Sequence, residues 1–181
     1  MELIIASQNQ NKLVEFKKIL GDKINLFSLS DIGLNQEIPE NEKTIKKNAM
    51  FKAKFVNTQT GKNVFADDTG LEIDSLNGEP GVYSARYSGV DRNSDKNIEL
   101  VLTKLKNKSN RNSRFKTIIS LILDGKSVNF EGVVEGKITE EKRGSNGFGY
   151  DPISQPNGYA STFGEICLLY TSDAADDWFC V

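Results

Sequence analysis

The chain has 181 residues, of which 38% are hydrophobic and 27% charged, and its net charge at pH 7 is −2. This composition is typical of one soluble, cytoplasmic-type globular domain, and its charge gives no sign of a nucleic-acid or membrane binder. The sequence contains no histidine and only two cysteines. The absence of histidine excludes Ser-His-Asp and Cys-His catalysis and histidine metal sites. Two cysteines are too few for a disulfide framework. Chemistry must therefore rest on carboxylates, lysines, hydroxyls and a cation that prefers oxygen ligands.

The N-terminal part of the chain predicts a strand, a helix and a second strand. Residues 2–6 form the first, buried strand. The helix that follows places Leu13, Phe16 and Leu20 on one face and ends at Gly21. Residues 24–29 form the second strand, and a polar, acidic loop over residues 35–42 comes after it.

A long basic helix is predicted over residues 43–57. Its inner stripe consists of Ile45, Ala49, Ala53 and Val56. Its lysines are predicted to form a solvated face; they are Lys43, Lys46, Lys47, Lys52 and Lys54.

The rest of the chain predicts further strands and one more helix. Residues 63–66 form a strand that stops at two aspartates, and residues 71–76 form a short extended piece. Ser94 is the predicted N-cap of a helix with Ile98, Val101, Leu102 and Leu105 inward. Residues 115–123 and 127–138 flank Asp124-Gly125, a strong hairpin signal. The pattern indicates an α/β domain with some antiparallel pairing.

Three segments carry candidate chemistry, and the first joins the first strand to the first helix. A strand-to-helix turn directs free backbone N–H groups towards one point, which suits a phosphate, and a lysine in the first helical turn adds a full charge. The same residue types also suit an ordinary polar N-cap. The segment consists of Ser7, Gln8, Asn9, Gln10, Asn11 and Lys12.

The second segment is Asp67-Asp68-Thr69-Gly70. Adjacent aspartates at a strand point to opposite sides, so one can face a cleft and bind Mg²⁺ while the other braces the loop. A carboxylate that touches both a metal and a water can orient that water for attack on phosphorus. An Asx-turn leading into Gly70 is the alternative interpretation.

The third segment is the glycine-rich run over residues 144–152. Phe148 or Tyr150 would stack on a base, and Asp151 would accept hydrogen bonds from its edge. Alternatively, the aromatic side chains are core plugs in a glycine-rich turn. The run over residues 81–89 suits a packing or subunit surface, although its Arg86 could also neutralise phosphate.

These segments occur together and in order, and the chain resembles the inosine/xanthosine triphosphate pyrophosphatases. The matching stretches are residues 6–12 with Glu15, 66–71, 76–87 and 147–152. The resemblance covers roughly residues 1–166. It implies an elongated α/β fold with a mixed sheet, two lobes and a central cleft, and a cytoplasmic homodimer that uses Mg²⁺.

The resemblance also implies a role for each segment. Water attacks the α-phosphorus, Asp68 accepts its proton, and Asp68 and Glu40 bind the metal. The match at Glu40 is loose, and Glu42 is a rival; Lys47 stands where the family usually has an acid. Residues 7–12 and Thr69 would hold the phosphates and sugar. The residues that would frame the base are Phe148, Gly149, Tyr150 and Asp151. Related readings are a pyrophosphatase of modified pyrimidine nucleotides and a nucleotide-binding module without turnover.

Residues 167–181 depart from the family pattern. The family continues into a lysine-bearing helix and a Ser-His-Arg motif that reads the purine, whereas this stretch has no Lys, Arg or His. Residues 167–177 look like the translation of a transposon-end sequencing adapter; a divergent C-terminus is the alternative interpretation. We therefore expect a pyrophosphatase domain over residues 1–166, a non-native tail over residues 167–181, and a chain that is poorly active and marginally stable as written.

Overall fold

The computed structural model describes residues 1–166, so the expectations for residues 167–181 lie outside its described part. The strands are β1 (Glu2–Ile5), β2 (Asn25–Phe27), β3 (Val64–Ile73), β4 (Asn112–Leu123), β5 (Lys126–Ile138) and β6 (Ser154–Pro156). The α-helices are α1 (Gln10–Leu20), α2 (Ile45–Thr60), α3 (Ser94–Lys104) and α4 (Phe163–Ile166). Short 3-10 helices occupy Gly21–Lys23, Asp74–Leu76, Gly81–Arg86 and Asp151–Ile153. None of the helices within residues 1–166 has the length and hydropathy needed to cross a bilayer.

All six strands belong to one mixed sheet in the order β2-β1-β3-β4-β5-β6. β1 pairs in parallel with β2 and β3, and β5 pairs antiparallel with β6. Asp124 and Gly125 join β4 to β5 with φ values of 47° and 76°. Positive φ at both central residues is the geometry of a tight two-residue hairpin, which the Asp-Gly pair favours. The mixed sheet with its helices confirms the predicted α/β class.

The chain divides into two compact units. The first unit comprises Met1–Asp68 and Thr117–Gly132, and the second comprises Thr69–Lys116 and the chain from Val133 onward. Strands β3, β4 and β5 contribute residues to both units.

In the first unit, the two faces of β1 and β3 are covered by different helices. Alternate residues of a strand point to opposite faces, so each face has its own cluster. On one face, α1 packs its Leu13, Phe16 and Leu20 against Leu3, Ile5, Leu26 and Phe65. On the other face, α2 packs its Ala53 and Val56 against Ile4, Ala6, Val64 and Ala66. The sheet is thus a central layer between α1 and α2.

The core of the second unit lies under α3. Leu71 and Ile73 of β3 pack with Ile98 and Val101 of α3. The same cluster continues through Leu76, Leu105, Ile138, Tyr150 and Ile153. Tyr150, which the sequence placed in a ligand-binding loop, is therefore also a core residue.

Three of the predicted boundaries are wrong. The aspartates do not end a strand, because β3 runs without a break from Val64 to Ile73. The predicted extended piece over residues 71–76 is therefore the end of this strand followed by the 3-10 helix Asp74–Leu76. The N-cap of α3 is Asn93, one residue before the predicted Ser94, and its side chain accepts a hydrogen bond from the Lys96 N–H. β2 has only three residues, fewer than predicted. The remaining helices and the hairpin are confirmed to within a few residues.

Candidate active site

Asp67 and Asp68 lie in the middle of β3 and point to opposite faces of the sheet. Asp67 follows Phe65 on the face covered by α1, and its Oδ2 forms an ion pair with Lys12. Asp68 follows Ala66 on the face covered by α2, and its Oδ1 lies 3.4 Å from Nζ of Lys52. The prediction that the two aspartates face different sides is therefore confirmed, although they lie within the strand and not after it.

Lys12 reaches Asp67 from the first turns of α1. The side-chain oxygen of the N-cap residue Asn9 accepts a hydrogen bond from the Asn11 N–H over 3.0 Å. The Ser7 hydroxyl oxygen accepts one from the Asn9 N–H over 3.2 Å. These bonds fix the turn between β1 and α1, and Lys12 becomes a partly buried cation beside the positive end of an 11-residue helix.

The other side chains of this turn remain accessible. Gln8 is exposed and donates its amide hydrogen to the carbonyl oxygen of Gln36 over 3.2 Å. Gln10 and Asn11 are also exposed, on the first turn of α1. The segment therefore combines backbone N–H groups, exposed amides and a lysine, which together suit an anionic ligand.

Lys52 contradicts the prediction of a solvated lysine face on α2. It is only 6% exposed, and its Nζ lies 2.8 Å from Oε1 of Glu40 as well as 3.4 Å from Asp68. Lys52 occupies the buried stripe of α2, three residues after Ala49 and four before Val56. Helical spacing alone could therefore have predicted that Lys52 is buried. A lysine in that position needs a charged partner, since an unpaired charge is rarely tolerated in a protein interior.

Asn48 is a second site residue that the sequence did not single out. It is 1% exposed, one turn before Lys52 on the same stripe. Its Oδ1 accepts a hydrogen bond from the Glu42 N–H over 3.0 Å, and its side chain also hydrogen-bonds Asp68. Asn48 thus ties the loop that carries Glu40 to the strand that carries Asp68.

Glu40, and not its rival Glu42, joins the carboxylate cluster. Glu40 is one of the two carboxylates bound by Lys52, with 22% of its side chain exposed. The contact of Glu42 with this cluster is the hydrogen bond that its backbone N–H donates to Asn48 Oδ1. The geometry therefore favours Glu40 as the second acidic group beside Asp68.

Burial and neighbouring charges perturb the protonation of this cluster. Burial raises the pKa of Asp68 above its ordinary value of 3.8, and the positive charge of Lys52 offsets this only in part. Burial alone would lower the pKa of Lys52, but the negative charges of Asp68 and Glu40 outweigh it, and the net shift is upward. Lys52 therefore stays charged, whereas Asp68 holds a proton more readily than an exposed aspartate does.

The donor set fits a magnesium ion that also takes oxygen atoms from a ligand. Glu40 and Asp68 already converge on one cationic group, the ammonium of Lys52. Within residues 1–166, no three His, Cys, Asp or Glu side chains form a cluster that could hold a metal by themselves. Mg²⁺ commonly takes one or two carboxylates together with phosphate oxygens and water. Glu40 and Asp68 are the residues that would hold it.

The glycine-rich loop, residues 144–152, belongs to the second unit. Two of its candidate base-reading residues, Tyr150 and Asp151, form contacts within the protein itself. Tyr150 is 5% exposed, and its hydroxyl donates to the carbonyl oxygen of Ser84 over 2.8 Å. Asp151 is 7% exposed, and its Oδ2 accepts from the Phe148 N–H over 2.8 Å. Phe148 and Gly149 remain half-exposed. Phe148 is thus the aromatic residue of this loop that is available to a ligand.

Thr69 is the first residue of the second unit and follows Asp68 directly in β3. It is half-buried.

In the 3-10 segment Gly81–Arg86, the guanidinium of Arg86 lies 5.4 Å from the ring centroid of Tyr83, which is 57% exposed. This cation–π pair is compatible with the predicted surface role of the segment.

Comparison with known proteins agrees with these features. The profile of the Ham1 family matches residues 3–168. The dITP/XTP pyrophosphatase of Flavobacterium psychrophilum is 49% identical over 168 residues, which are 93% of this chain and 88% of that protein. That of Christiangramia forsetii is 51% identical over 172 residues, 95% of this chain and 90% of that protein.

Solved structures give the same result. The Staphylococcus aureus Ham1 protein superposes with a TM-score of 0.82 at 38% identity, covering 91% of this chain and 86% of its own. A HAM1 protein from Coxiella burnetii gives a TM-score of 0.83 at 37% identity, with the same coverage of 91% and 86%. The fold, the paired aspartates and these similarities lead to one conclusion: the chain belongs to the Ham1 family.

Proposed function

We propose that this chain hydrolyses deaminated purine nucleoside triphosphates, namely ITP, dITP and XTP, to the monophosphate and pyrophosphate. The observation that carries the proposal is the cluster of Asp68, Glu40 and Lys52 on one face of β3, with Lys12 and Asp67 on the other. Relatives named dITP/XTP pyrophosphatase, 49% and 51% identical to this chain, support the substrate class.

In this proposal Asp68 is the proton acceptor. A water oxygen attacks the α-phosphorus, the bond from that phosphorus to the bridging oxygen breaks, and pyrophosphate leaves while Asp68 takes the proton of the water. The raised pKa of Asp68 makes it a stronger base than an exposed aspartate. Lys52 and Asn48 hold Asp68 and the Glu40 loop in place.

The phosphates would be bound by the turn before α1. The first N–H groups of α1 and the ammonium of Lys12 supply positive charge there, and Thr69 would contact the sugar and phosphates. Mg²⁺, held by Glu40 and Asp68, would neutralise phosphate charge when bound. The residues of this binding segment are Ser7, Gln8, Asn9, Gln10, Asn11 and Lys12.

Phe148 and Gly149 would contact the base directly, with Tyr150 and Asp151 behind them. The family resemblance further supports a cytoplasmic homodimer, and the net charge of −2 supports a small-molecule substrate rather than nucleic acid or a membrane. We assign the activity to residues 1–166, which the structure describes and which lie almost wholly within the match to the Ham1 family.

The test is pyrophosphate release from ITP, XTP, GTP and a modified pyrimidine triphosphate, with Mg²⁺ and then with EDTA. We expect release from ITP and XTP to exceed the rest, to stop with EDTA, and to fall at least about 100-fold in Asp68→Asn. Asp22→Asn, at an exposed aspartate in Gly21–Lys23, is the matched control. Nucleotide binding without release would favour a binding module, and preference for the pyrimidine would favour the related enzyme class.

A further inference from the structure

The carbonyl oxygen of Ser84 is a junction between the glycine-rich loop and α3. It accepts a hydrogen bond from the Tyr150 hydroxyl over 2.8 Å. It also accepts one from the Nδ2 of Asn97 on α3, over 3.4 Å. Carbonyl oxygens have two lone pairs, so both donors can be accommodated at once. A loop residue and a helix residue therefore share one backbone atom.

Asn97 uses its whole side-chain amide to hold the segment that contains Ser84. It is 4% exposed, and its Nδ2 also donates to the carbonyl oxygen of Ala85 over 3.2 Å. Its Oδ1 accepts from both the N–H and the hydroxyl of Ser88, each over 2.7 Å. A buried amide with all of its hydrogen bonds satisfied fixes the position of its partners, because any shift leaves a buried polar group unpaired.

The Ser84 side chain anchors the same segment to β3. Its hydroxyl oxygen accepts from the Leu71 N–H over 2.9 Å, and the hydroxyl donates to the Gly81 carbonyl oxygen over 2.6 Å. Ser84 is therefore held by its own side chain and by Asn97. Its carbonyl oxygen is a fixed point to which the Tyr150 hydroxyl attaches.

The hydrogen bond between Tyr150 and Ser84 also constrains Phe148, which lies two residues before Tyr150 in the chain. Burial raises the pKa of Tyr150, so its hydroxyl stays protonated and remains a donor at neutral pH. The adjacent Asp151 accepts a hydrogen bond from the Phe148 N–H. A continuous series of hydrogen bonds and short chain links thus connects Asn97 to Phe148, the half-buried aromatic residue of the loop.

We propose that Asn97 and Tyr150 are positioning residues that set the place of Phe148 and thereby the discrimination between purine bases. This inference rests on the proposed function, in which Phe148 contacts the base. Discrimination in a pocket depends on where its contact groups stand, and displacements of about 1 Å are enough to change rates strongly. Neither residue needs to touch the nucleotide for this effect.

The experiment compares Tyr150→Phe with the wild-type 181-residue chain. The substitution removes one oxygen and leaves the ring in the core. A hydrogen bond contributes about 0.5–1.5 kcal/mol, which is about a 2- to 12-fold change. We expect KM for ITP to rise within that range, kcat to change less than about twofold, and the ITP-to-GTP ratio of kcat/KM to fall. Amide hydrogen exchange over residues 146–151 should become faster.

Tyr87→Phe is the matched control, because the Tyr87 hydroxyl donates to Glu79 at the surface of the same unit. It should leave KM, the ITP-to-GTP ratio and loop exchange unchanged. Asn97→Ala gives a second route to the same loop displacement. If Asn97 and Tyr150 act through the one Ser84 carbonyl, the double variant should show less than the product of the two single effects on KM.

The outcomes separate the inference from the proposed function. A fall in melting temperature alone, with KM, the ITP-to-GTP ratio and loop exchange all unchanged in Tyr150→Phe, would overturn the positioning role. Multiplicative effects in the double variant would overturn the shared Ser84 link. Absence of pyrophosphate release from the wild-type chain would instead refute the proposed function. Loop exchange and the affinity for ITP, measured by calorimetry, would then decide the positioning role without turnover.

Discussion

Lys52 of α2 and Asp68 of β3 meet on one face of the sheet, with 3.4 Å between Nζ and Oδ1. Lys52 also binds Glu40 at 2.8 Å. One ammonium therefore faces two carboxylates, and the net charge of the trio is negative when all three are ionised. The two negative charges raise the pKa of Lys52 in spite of its burial, whereas the pKa of Asp68 is raised mainly by burial, with a smaller contribution from the charge of Glu40.

Removing the Lys52 charge should destabilise the fold and abolish activity. Lys52→Met would leave Glu40 and Asp68 facing each other without a cation, and breaking a buried pair typically costs about 3–5 kcal/mol. We expect a large fall in the free energy of unfolding, measured with urea at pH 7.5. Lys54→Met, on the exposed side of the same helix, should change it by less than about 0.5 kcal/mol. Equal effects of the two substitutions would show that the Lys52 pairing does not matter.

Lys12 should matter most for nucleotide affinity. Its charge is paired with Asp67 and lies at the N-terminal end of α1. We expect Lys12→Met to weaken ITP binding about 10- to 100-fold, because one charge-assisted phosphate contact contributes about 1.5–3 kcal/mol. Lys18→Met, an exposed site in the last turn of α1, is the control. Calorimetric titration with ITP measures both, and an unchanged affinity for Lys12→Met would remove the phosphate role.

The ionised carboxylate of Asp68 should lower the free energy of unfolding at neutral pH. Its folded-state pKa lies above 3.8, so ionising it is harder in the folded than in the unfolded chain. This cost is present above the folded-state pKa, falls as pH drops through it, and vanishes below 3.8. Asp68→Asn should therefore melt higher than wild type at pH 7 in EDTA, and the gap should close by pH 3.5.

The expected size of this gap follows from the linkage relation. Each unit of pKa shift corresponds to about 1.4 kcal/mol, and 1 kcal/mol moves the melting temperature of such a chain by about 2–4 °C. Differential scanning calorimetry over this pH range measures it. A wild-type chain that melts above Asp68→Asn at pH 7 would contradict the upward shift.

Gly147 should resist substitution more than Gly149. Both have positive φ, 73° and 60°. A Cβ on Gly147 would overlap the carboxylate of the buried Asp151, lying 2.9 Å from its Cγ, whereas none of the described atoms lies within 4 Å of a Cβ on Gly149. Gly149→Ala should therefore cost only the backbone strain, about 1 kcal/mol, and Gly147→Ala considerably more. Thermal unfolding of the two variants compares them, and similar losses would contradict the steric argument.

Much of the fold could be predicted because each element carried its own local signal. Phe16 and Leu20 marked the inner face of α1, and Gly21 marked its end. Asp124-Gly125 fixed the hairpin, since few other pairs adopt two successive positive φ values without cost.

The course of β3 could not be predicted from local signals. Two aspartates followed by Thr-Gly resemble a turn, because isolated carboxylates are costly inside a sheet. Lys12 and Lys52 make this strand possible by supplying a cation to each face. Those lysines lie 55 and 16 residues from their partners in sequence, so the compensation is visible only in three dimensions.

The sequence predicted the acidic residues of the candidate site but not the residues that hold them in place. Asp68 and Glu40 were identified through the family pattern, whereas Asn48 and Lys52 were not singled out as site residues. Polar residues on an exposed-looking basic helix give no chemical signal by themselves. Their position on the same stripe as Ala49 and Val56 was the available signal, and it required helical geometry to outweigh residue type.

Side chains of β3 alternate between the α1 and α2 faces of the sheet. The number of residues from Val64 to Asp68 therefore decides which face each of these side chains occupies. Deleting or inserting a single residue just before Asp67 would reverse the alternation on one side of the change, so that either the two carboxylates exchange the α1 and α2 faces or Val64 and Phe65 turn to the wrong clusters. A substitution alters one of these side chains, whereas an indel of one codon removes either the core packing of Val64 and Phe65 or both ion pairs at once. Length variation among relatives should therefore be confined to loops on either side of this strand.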